Sequence, residues 1–400
     1  MADIQIPKRT KKEKEALISQ VIEMMAIPGK SGEEQEIAEY IHNQLVDAGA
    51  DPKAIRTDAA HRKTRIKGEV GNLVFKLPGT YKAPRRMLSA HMDTVPICEG
   101  CRPKRAGMRV TSIDKHTGLG ADNRAGCGVV LSTALEILRR GLAHPPLTFT
   151  WFVQEEVGLQ GSRHATTSLF GNPELAFNWD GGSPLKMTVG ATGGYRMTIN
   201  VQGLASHAGV CPERGVSAIA IASLAIADLQ ENGWHGAIRK GKQTGTSNVG
   251  IVRGGDATNV VTDHVYVRAE ARSHNSNFRK RIVREIEQAF ERAGKKIKNV
   301  EGERGSVEIE GFLDYDSFKL GPKEPCVQIA SNVIRSLNYE PLSAIADGGL
   351  DANWITKHGV PTVSMGCGQL NAHMVTETLS LKEYLIACDI GLAISLGAGG

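Results

Sequence analysis

The sequence has 400 residues, which is longer than one typical domain and predicts two or three folded units. Its hydrophobic fraction of 41% and charged fraction of 23% are those of globular proteins, so disordered, collagen-like and coiled-coil chains are excluded. The chain has 48 basic and 43 acidic residues, so its net charge is only +5. So small an excess of positive charge argues against nucleic acid as a partner.

The chain begins with two predicted helices. Apolar residues at helical spacing predict them over residues 13–27 and 33–49. Ser31 is the predicted N-cap of the second helix, and Gly49 is its predicted end. We expect both to be surface helices.

Four short apolar runs follow, and each leads into residues that can bind a metal ion or a proton. They are residues 87–90 before His91, 147–153 before Glu155 and Glu156, 175–179 before Asp180, and 361–365 ahead of a glycine-rich loop that reaches His373. Helical stretches such as 123–140 lie between the runs, so strands and helices alternate. We therefore predict an α/β fold with a mostly parallel, doubly covered sheet and a site at the carboxyl ends of its strands.

The pattern changes in the middle of the chain, where a smaller unit is predicted. Its elements are the strand 195–201, the helix 216–229, the strand 266–271, the helix 277–292 and the strand 306–311. The order predicted for the whole unit is strand, helix, two strands, helix and strand, that of one small α+β domain, with residues assigned to one of the two central strands. We predict that this domain, 191–314, is inserted into a sheet domain formed by 1–190 and 315–400.

Seven cysteines are scattered along the chain, and the start of the sequence lacks the apolar segment of a secretory signal. An odd number of unclustered cysteines is typical of a reducing compartment. No uninterrupted apolar run approaches the roughly 18 residues that a membrane span requires. We therefore expect a cytoplasmic protein with no membrane partner.

Several residues at the predicted strand ends have side chains that bind metals. The candidate ligands are His91, Asp122, Glu156, Asp180 and His373. Each has an ordinary structural explanation by itself; Asp122, for example, follows a glycine-rich turn and would cap a helix. Together they are enough for two metal ions that share a bridging carboxylate. Asp93 lies two residues after His91 and would orient its imidazole.

The motifs around these residues occur in a characteristic order. They are His91-Met-Asp-Thr-Val-Pro96, Gly120-Ala-Asp-Asn-Arg-Ala-Gly126, Glu155-Glu-Val-Gly158, Asp180-Gly-Gly182, Asp347-Gly-Gly-Leu-Asp351, and His373 followed by Glu377. The combined set resembles the M20 metallopeptidases, and most strongly the peptidase T branch of that family. The resemblance covers nearly the whole chain after the first helix. It implies a fold of the zinc exopeptidase type in which the inserted domain is a lid and dimerisation domain.

The resemblance also implies two divalent metal ions, zinc in the first place, with cobalt or manganese as alternatives. His91 and Asp180 would hold one ion, Glu156 and His373 the other, and Asp122 would bridge them. Glu155 would be the general base, an assignment that comes from the family because spacing does not distinguish it from its neighbour.

In the inserted domain, the resemblance assigns three further residues. His207, within Gly203-Leu-Ala-Ser-His-Ala-Gly209, would reach the active site of the partner subunit in a homodimer and stabilise the oxyanion. Asn259 would contact substrate, and Arg272 would bind a substrate carboxylate. Ser217 stands where relatives commonly have asparagine, which leaves the nearby substrate contacts open.

The implied function is a metal-dependent exopeptidase that releases the N-terminal residue of short peptides, with tripeptides as the favoured substrates. Two alternatives remain open at this point. An N-acyl amino acid amidohydrolase or a carboxypeptidase of the same family would use the same site on any amide whose carboxylate reaches Arg272. A binding protein without turnover is the other, and the presence of Glu155 and all five ligands opposes it.

Overall fold

The computed structural model describes residues 7–398, and ten α-helices lie within them. They are α1 (Lys11–Ala26), α2 (Gln35–Asp47), α3 (Ala60–Lys63), α4 (Ala121–Arg140), α5 (Gln160–Arg163), α6 (Ala218–Glu231), α7 (Ser276–Lys296), α8 (Pro325–Ser336), α9 (Ala352–Lys357) and α10 (Leu381–Ser395). Within this described part of the chain, no helix combines the length and apolarity that crossing a bilayer requires.

Eighteen strands lie between these helices in the same part of the chain. They are β1 (Ile55–Thr57), β2 (Leu73–Leu77), β3 (Arg86–His91), β4 (Pro103–Ala106), β5 (Arg109–Ser112), β6 (Leu147–Phe152), β7 (Leu175–Trp179), β8 (Lys186–Ala191), β9 (Gly193–Gln202), β10 (Gly236–Lys240), β11 (Gln243–Gly254), β12 (His264–Ser273), β13 (Ser306–Tyr315), β14 (Phe318–Lys319), β15 (Leu342–Ala346), β16 (Thr362–Met365), β17 (Gln369–Leu370) and β18 (Thr378–Ser380).

The largest sheet has nine strands and contains all four apolar runs of the sequence. Its order is β1-β2-β6-β3-β7-β16-β8-β14, and β15 also pairs with β8. The central strands β6, β3, β7 and β16 are parallel, and every residue in them is buried. Parallel strands covered on both faces consist of nearly continuous apolar residues, which is why the sequence marks them. The predicted α/β class with a large, mostly parallel sheet is confirmed.

The chain divides into two compact units. One comprises Met1–Ala191, Lys319–Ala346 and Leu350–Gly400, and the other comprises Thr192–Phe318 and Asp347–Gly349. The second unit has an antiparallel sheet of order β10-β11-β12-β9-β13. Its own core includes Ile199 and Val267 from the sheet and Ile221 and Phe290 from the helices α6 and α7.

The sheet of the second unit has five strands, one more than the predicted order and two more than the predicted residue ranges. The two strands without a predicted range form the hairpin β10–β11, which turns at Gly241 with a φ of 61°. Most residues of β11 are exposed or half-buried, and glycine and threonine are frequent among them. Such a strand lacks the apolar alternation that identifies a half-buried strand in sequence.

A small antiparallel sheet of order β17-β18-β5-β4 was also absent from the prediction. Its strands have two to four residues, which is too short for any periodicity to be detected. The sheet matters for the site because the loop between β17 and β18 carries His373.

The helix start predicted at Ser31 is wrong. Helix α2 begins at Gln35, and the Ser31 hydroxyl instead donates a hydrogen bond of 2.6 Å to Asp93 Oδ2. The local pattern predicted that Ser31 would cap α2, but its hydroxyl bonds an acceptor that is distant in the chain instead. Gly49, with a φ of 97°, follows the end of α2 as expected.

Candidate metal centre

Most of the candidate ligands follow neighbouring parallel strands. His91 is the last residue of β3, Asp180 follows the last residue of β7, and Glu156 lies in the loop after β6. Strand β3 pairs in parallel with both β6 and β7. The carboxyl ends of the three strands therefore lie at one edge of the sheet, where α/β proteins bind their ligands.

The remaining two candidates reach this edge from other elements. Asp122 lies at the start of α4, with φ and ψ of −84° and 103°, which are outside the helical region. His373 lies in the β17–β18 loop with a φ of 64°, in the left-handed region. The Asp122 carboxylate lies between two imidazoles: Oδ1 is 3.3 Å from His91 Nε2, and Oδ2 is 3.2 Å from His373 Nε2.

Three groups of side chains at this edge have ligand atoms within 4.8 Å of one another. The groups are His91, Asp122 and Asp180; Asp122, Glu156 and His373; and His91, Glu155 and Glu156. Asp122 belongs to two of them, so its carboxylate is placed to serve two cations. Imidazole nitrogens and carboxylate oxygens are donors that zinc and other first-row divalent ions accept. The residues present therefore fit the expected pair of metal ions.

The carboxylates of this cluster carry strongly perturbed proton affinities. Burial, together with the neighbouring charge of Asp122, raises the pKa of Asp180 to about 6. Burial also raises the pKa of Glu156 to about 7, although its contact with His373 opposes the shift. The pKa of Glu155 is raised well above its ordinary value by burial and by the carboxylates of its neighbours. Buried carboxylates this close together need positive charge nearby if they are to stay ionised.

Where no metal ion is bound, the two histidines provide part of that charge. Contacts with Asp122 and Glu156 raise the pKa of His373 to about 10. Burial disfavours the protonated form of His91, but its contacts with Asp122 and Asp93 outweigh burial and raise its pKa well above the ordinary value.

Asp93 supports the cluster from behind and is fully buried. Its Oδ1 lies 3.3 Å from His91 Nδ1 and accepts a hydrogen bond of 2.9 Å from the Glu155 N–H. Its Oδ2 accepts the Glu156 N–H at 3.1 Å. One carboxylate thus fixes an imidazole and the backbone of both adjacent glutamates, which is how outer partners orient metal ligands.

Two further buried acids, Glu34 and Asp351, lie near the cluster, and the sequence predicted no role for either. Burial and the charge of Asp93 raise the pKa of Glu34 to about 8, and its Oε1 accepts the Gln154 N–H at 3.0 Å. Burial raises the pKa of Asp351 to about 7, and the Asp180 carboxylate acts in the same direction. Asp351 ends one of the recognised motifs, whereas no local pattern marks Glu34.

The second unit contains the other three predicted residues. His207 is exposed and forms an antiparallel bridge with Val260, and the Asn259 carbonyl accepts the Ala208 N–H at 2.9 Å, so the His207 and Asn259 segments are neighbours. Arg272 is paired with Glu270 through two bonds, Nε to Oε1 at 2.9 Å and Nη2 to Oε2 at 3.1 Å. Any further carboxylate that reaches Arg272 would therefore share its guanidinium with Glu270 or displace Glu270.

Comparison with known proteins identifies the family. Residues 87–395 match peptidase family M20/M25/M40. The chain belongs to this family. This M20 peptidase is 30% identical over 380 residues to the uncharacterized protein YqjE of Bacillus subtilis, a match that covers 94% of the chain and 97% of that protein.

Two solved structures extend the likeness to the fold. A tripeptidase from Staphylococcus aureus superimposes with a TM-score of 0.86 at 28% identity, covering 96% of this chain and 97% of that one. The aminopeptidase PepT from Bacillus cereus superimposes with a TM-score of 0.83 at 29% identity, covering 96% and 98%. The resemblance to M20 metallopeptidases close to peptidase T is thereby confirmed.

We expect Asp93→Asn to weaken zinc binding by about 10- to 100-fold, because the NH2 group that replaces one oxygen cannot accept an N–H, so the contacts of one of the two oxygens with His91, Glu155 or Glu156 are lost. The affinity is measured by competition with a chromophoric chelator. Asp51→Asn is the matched control, since Asp51 is an exposed carboxylate that accepts a local N–H from Lys53. An Asp93→Asn protein that binds zinc as tightly as the control would contradict the supporting role of Asp93.

Proposed function

We propose that this M20 peptidase is a dinuclear metal-dependent exopeptidase that releases the N-terminal residue of short peptides, tripeptides in particular. The position of the Asp122 carboxylate between His91 and His373 supports the dinuclear centre most directly. The preference for tripeptides draws on the two similar structures, whose names are tripeptidase and aminopeptidase PepT.

The proposed ligand sets coincide with two of the three groups of converging side chains. His91 and Asp180 would hold one zinc ion, Glu156 and His373 would hold the other, and Asp122 would bridge them. When bound, two divalent cations supply Lewis acidity toward a water molecule and the scissile carbonyl. Cobalt or manganese suits the same oxygen and nitrogen donors.

The proposed general base is the carboxylate of Glu155. It accepts the proton of the attacking water and delivers it to the departing amine, so one group serves both half-steps. Its backbone is fixed by the hydrogen bond of 2.9 Å to Asp93, and its carbonyl accepts the N–H groups of Gly158 and Leu159. These contacts define the position of the base relative to the ligands beside it.

In the second unit, the proposed lid and dimerisation domain, His207 donates to the carbonyl oxygen of substrate as negative charge develops there. We place it in the active site of the partner subunit of a homodimer. Asn259 and Arg272 are the proposed contacts to the rest of the peptide. The exposure of His207 and Asn259 is consistent with groups that meet a ligand outside their own unit.

A substrate panel tests the activity. We expect the purified protein, supplied with zinc, cobalt or manganese, to cleave tripeptides with a free N-terminal amine and to release their first residue. Mass spectrometry of the products identifies the released residue, and N-acetylated tripeptides are the matched controls. Release of the C-terminal residue would indicate a carboxypeptidase, and cleavage of N-acyl amino acids alone would indicate an amidohydrolase. Either result would contradict the proposed activity.

We expect Glu155→Gln to lower kcat for tripeptide hydrolysis by about 10²- to 10⁴-fold, because the amide cannot accept a proton from the attacking water. Metal content, measured by atomic emission, stays near two ions because Glu155 is not a proposed ligand. Glu174→Gln, at an exposed position of the first unit, is the control for loss of a surface charge. Undiminished turnover in Glu155→Gln would refute the assignment of the base.

We expect His207→Ala to lower kcat by about 10²- to 10³-fold, since the lost contact belongs to the transition state. Mixing His207→Ala subunits with Glu155→Gln subunits then restores activity, because each mixed dimer contains one site with both groups intact. His264→Ala is the control: it removes an exposed histidine of the same unit, and we expect its activity to equal that of the wild type. A mixture as inactive as its two components would show that His207 does not act across a dimer.

A further inference from the structure

Glu377 is a buried acid whose contacts lie on the loop that presents Asp122. The residue is 2% exposed, and it ends the loop between β17 and β18. Its Oε2 accepts the N–H groups of Leu119 and Gly120, both at 2.7 Å. Its Oε1 accepts the N–H of Asp122 at 2.8 Å. A single carboxylate therefore accepts three backbone hydrogen bonds within four consecutive residues.

These three N–H groups need a partner that the helix does not provide. Gly120 has a φ of 73°, and Asp122 has non-helical dihedrals, so the chain enters α4 irregularly. The first N–H groups of a helix have no intrahelical acceptors, and burial removes water as an alternative. Hydrogen bonds to an ionised carboxylate are about twice as strong as those to a neutral acceptor. Glu377 therefore defines the path of the backbone into Asp122.

The same loop also contacts the Asp122 side chain. His373 lies four residues before Glu377, and its Nε2 is 3.2 Å from Asp122 Oδ2. The Glu377 N–H donates to the Met374 carbonyl at 3.0 Å, which ties Glu377 to the residue that follows His373. One short segment thus fixes Asp122 by both its backbone and its carboxylate.

We propose that Glu377 is a positioning residue of the metal centre, which sets the affinity for divalent cations by fixing the Asp122 carboxylate between the two imidazoles. Among the described residues, the Glu377 carboxylate accepts from the backbone of Leu119, Gly120 and Asp122 and from the Cys98 thiol, not from a proposed ligand atom, so it acts through the loop that carries Asp122. The inference rests on the proposed function in one respect, the assignment of Asp122 as a metal ligand.

Glu377→Gln is the discriminating variant because it preserves the shape of the side chain. The carboxamide has one oxygen, so it can accept either from Leu119 and Gly120 or from Asp122, and its NH2 group then faces an N–H donor. We expect the metal-free variant to bind zinc about 10- to 100-fold more weakly than the wild type, measured by competition with a chelator. The zinc concentration for half-maximal hydrolysis rises by the same factor, while KM for a tripeptide at saturating zinc is unchanged.

Asp58→Asn is the matched control. Asp58 is another buried carboxylate of the same unit, and it accepts backbone N–H groups from Ala60, Asn72 and Thr166 at 2.9 to 3.0 Å. None of these residues is a proposed ligand. We therefore expect Asp58→Asn to lower the melting temperature but to bind zinc within about twofold of the wild type. Equal losses of zinc affinity in the two variants would overturn the positioning role.

Glu377→Asp decides the question if Glu377→Gln does not fold. It keeps the charge but is one methylene shorter, so it cannot reach all three N–H groups, and we expect an intermediate zinc affinity. An unchanged affinity in Glu377→Asp would overturn the inference and leave the proposed function intact. A wild-type protein that binds no divalent cation would instead refute the proposed metal centre and the inference with it.

Discussion

Several buried carboxylates lie close together at the edge of the sheet. The structure of the site depends on how the free-energy cost of keeping them ionised is offset. Their mutual repulsion and their burial both favour the protonated form, and the raised pKa values of Glu155, Glu156 and Asp180 express this. Hydrogen-bond donors, imidazolium groups and cations can each offset that penalty. The chain supplies the donors and, where no metal ion is bound, the imidazolium groups; bound metal ions would replace the imidazole protons as the positive charge.

A second set of buried acids accepts hydrogen bonds from the backbone near the proposed ligands and so holds these loops in place. Asp93 accepts the N–H groups of Glu155 and Glu156, Glu34 accepts that of Gln154, and Glu377 accepts three on the Asp122 loop. Loops that leave parallel strands have no ladder of hydrogen bonds to fix them. A buried carboxylate that accepts several N–H groups holds such a loop in one conformation. The backbone of the loop then sets the positions of the proposed ligands.

The second unit folds around a core of its own, so its residues are organised independently of the sheet edge. The strands β9 and β12 and the helices α6 and α7 bury a continuous apolar cluster. On the surface of this unit, two turns meet through a backbone bridge and bring the segments of His207 and Asn259 together. The match to the peptidase family extends from residue 87 to residue 395 and therefore includes this unit.

The sequence by itself determined the fold class, the central strands and the family. Strands such as β3 and β6 are buried on both faces, so their residues form continuous apolar runs, and the chemically active residues follow where each run ends. The sequence also predicted that Asp93 orients His91, but only the tertiary structure decided which other residues support the site. Ser31 bonds Asp93 rather than capping α2, and Glu377 bonds an N–H group 255 residues away in the chain. Contacts of this kind join positions that share no periodic pattern, and burial is what makes them strong, so neither the partner nor its importance can be derived from local sequence.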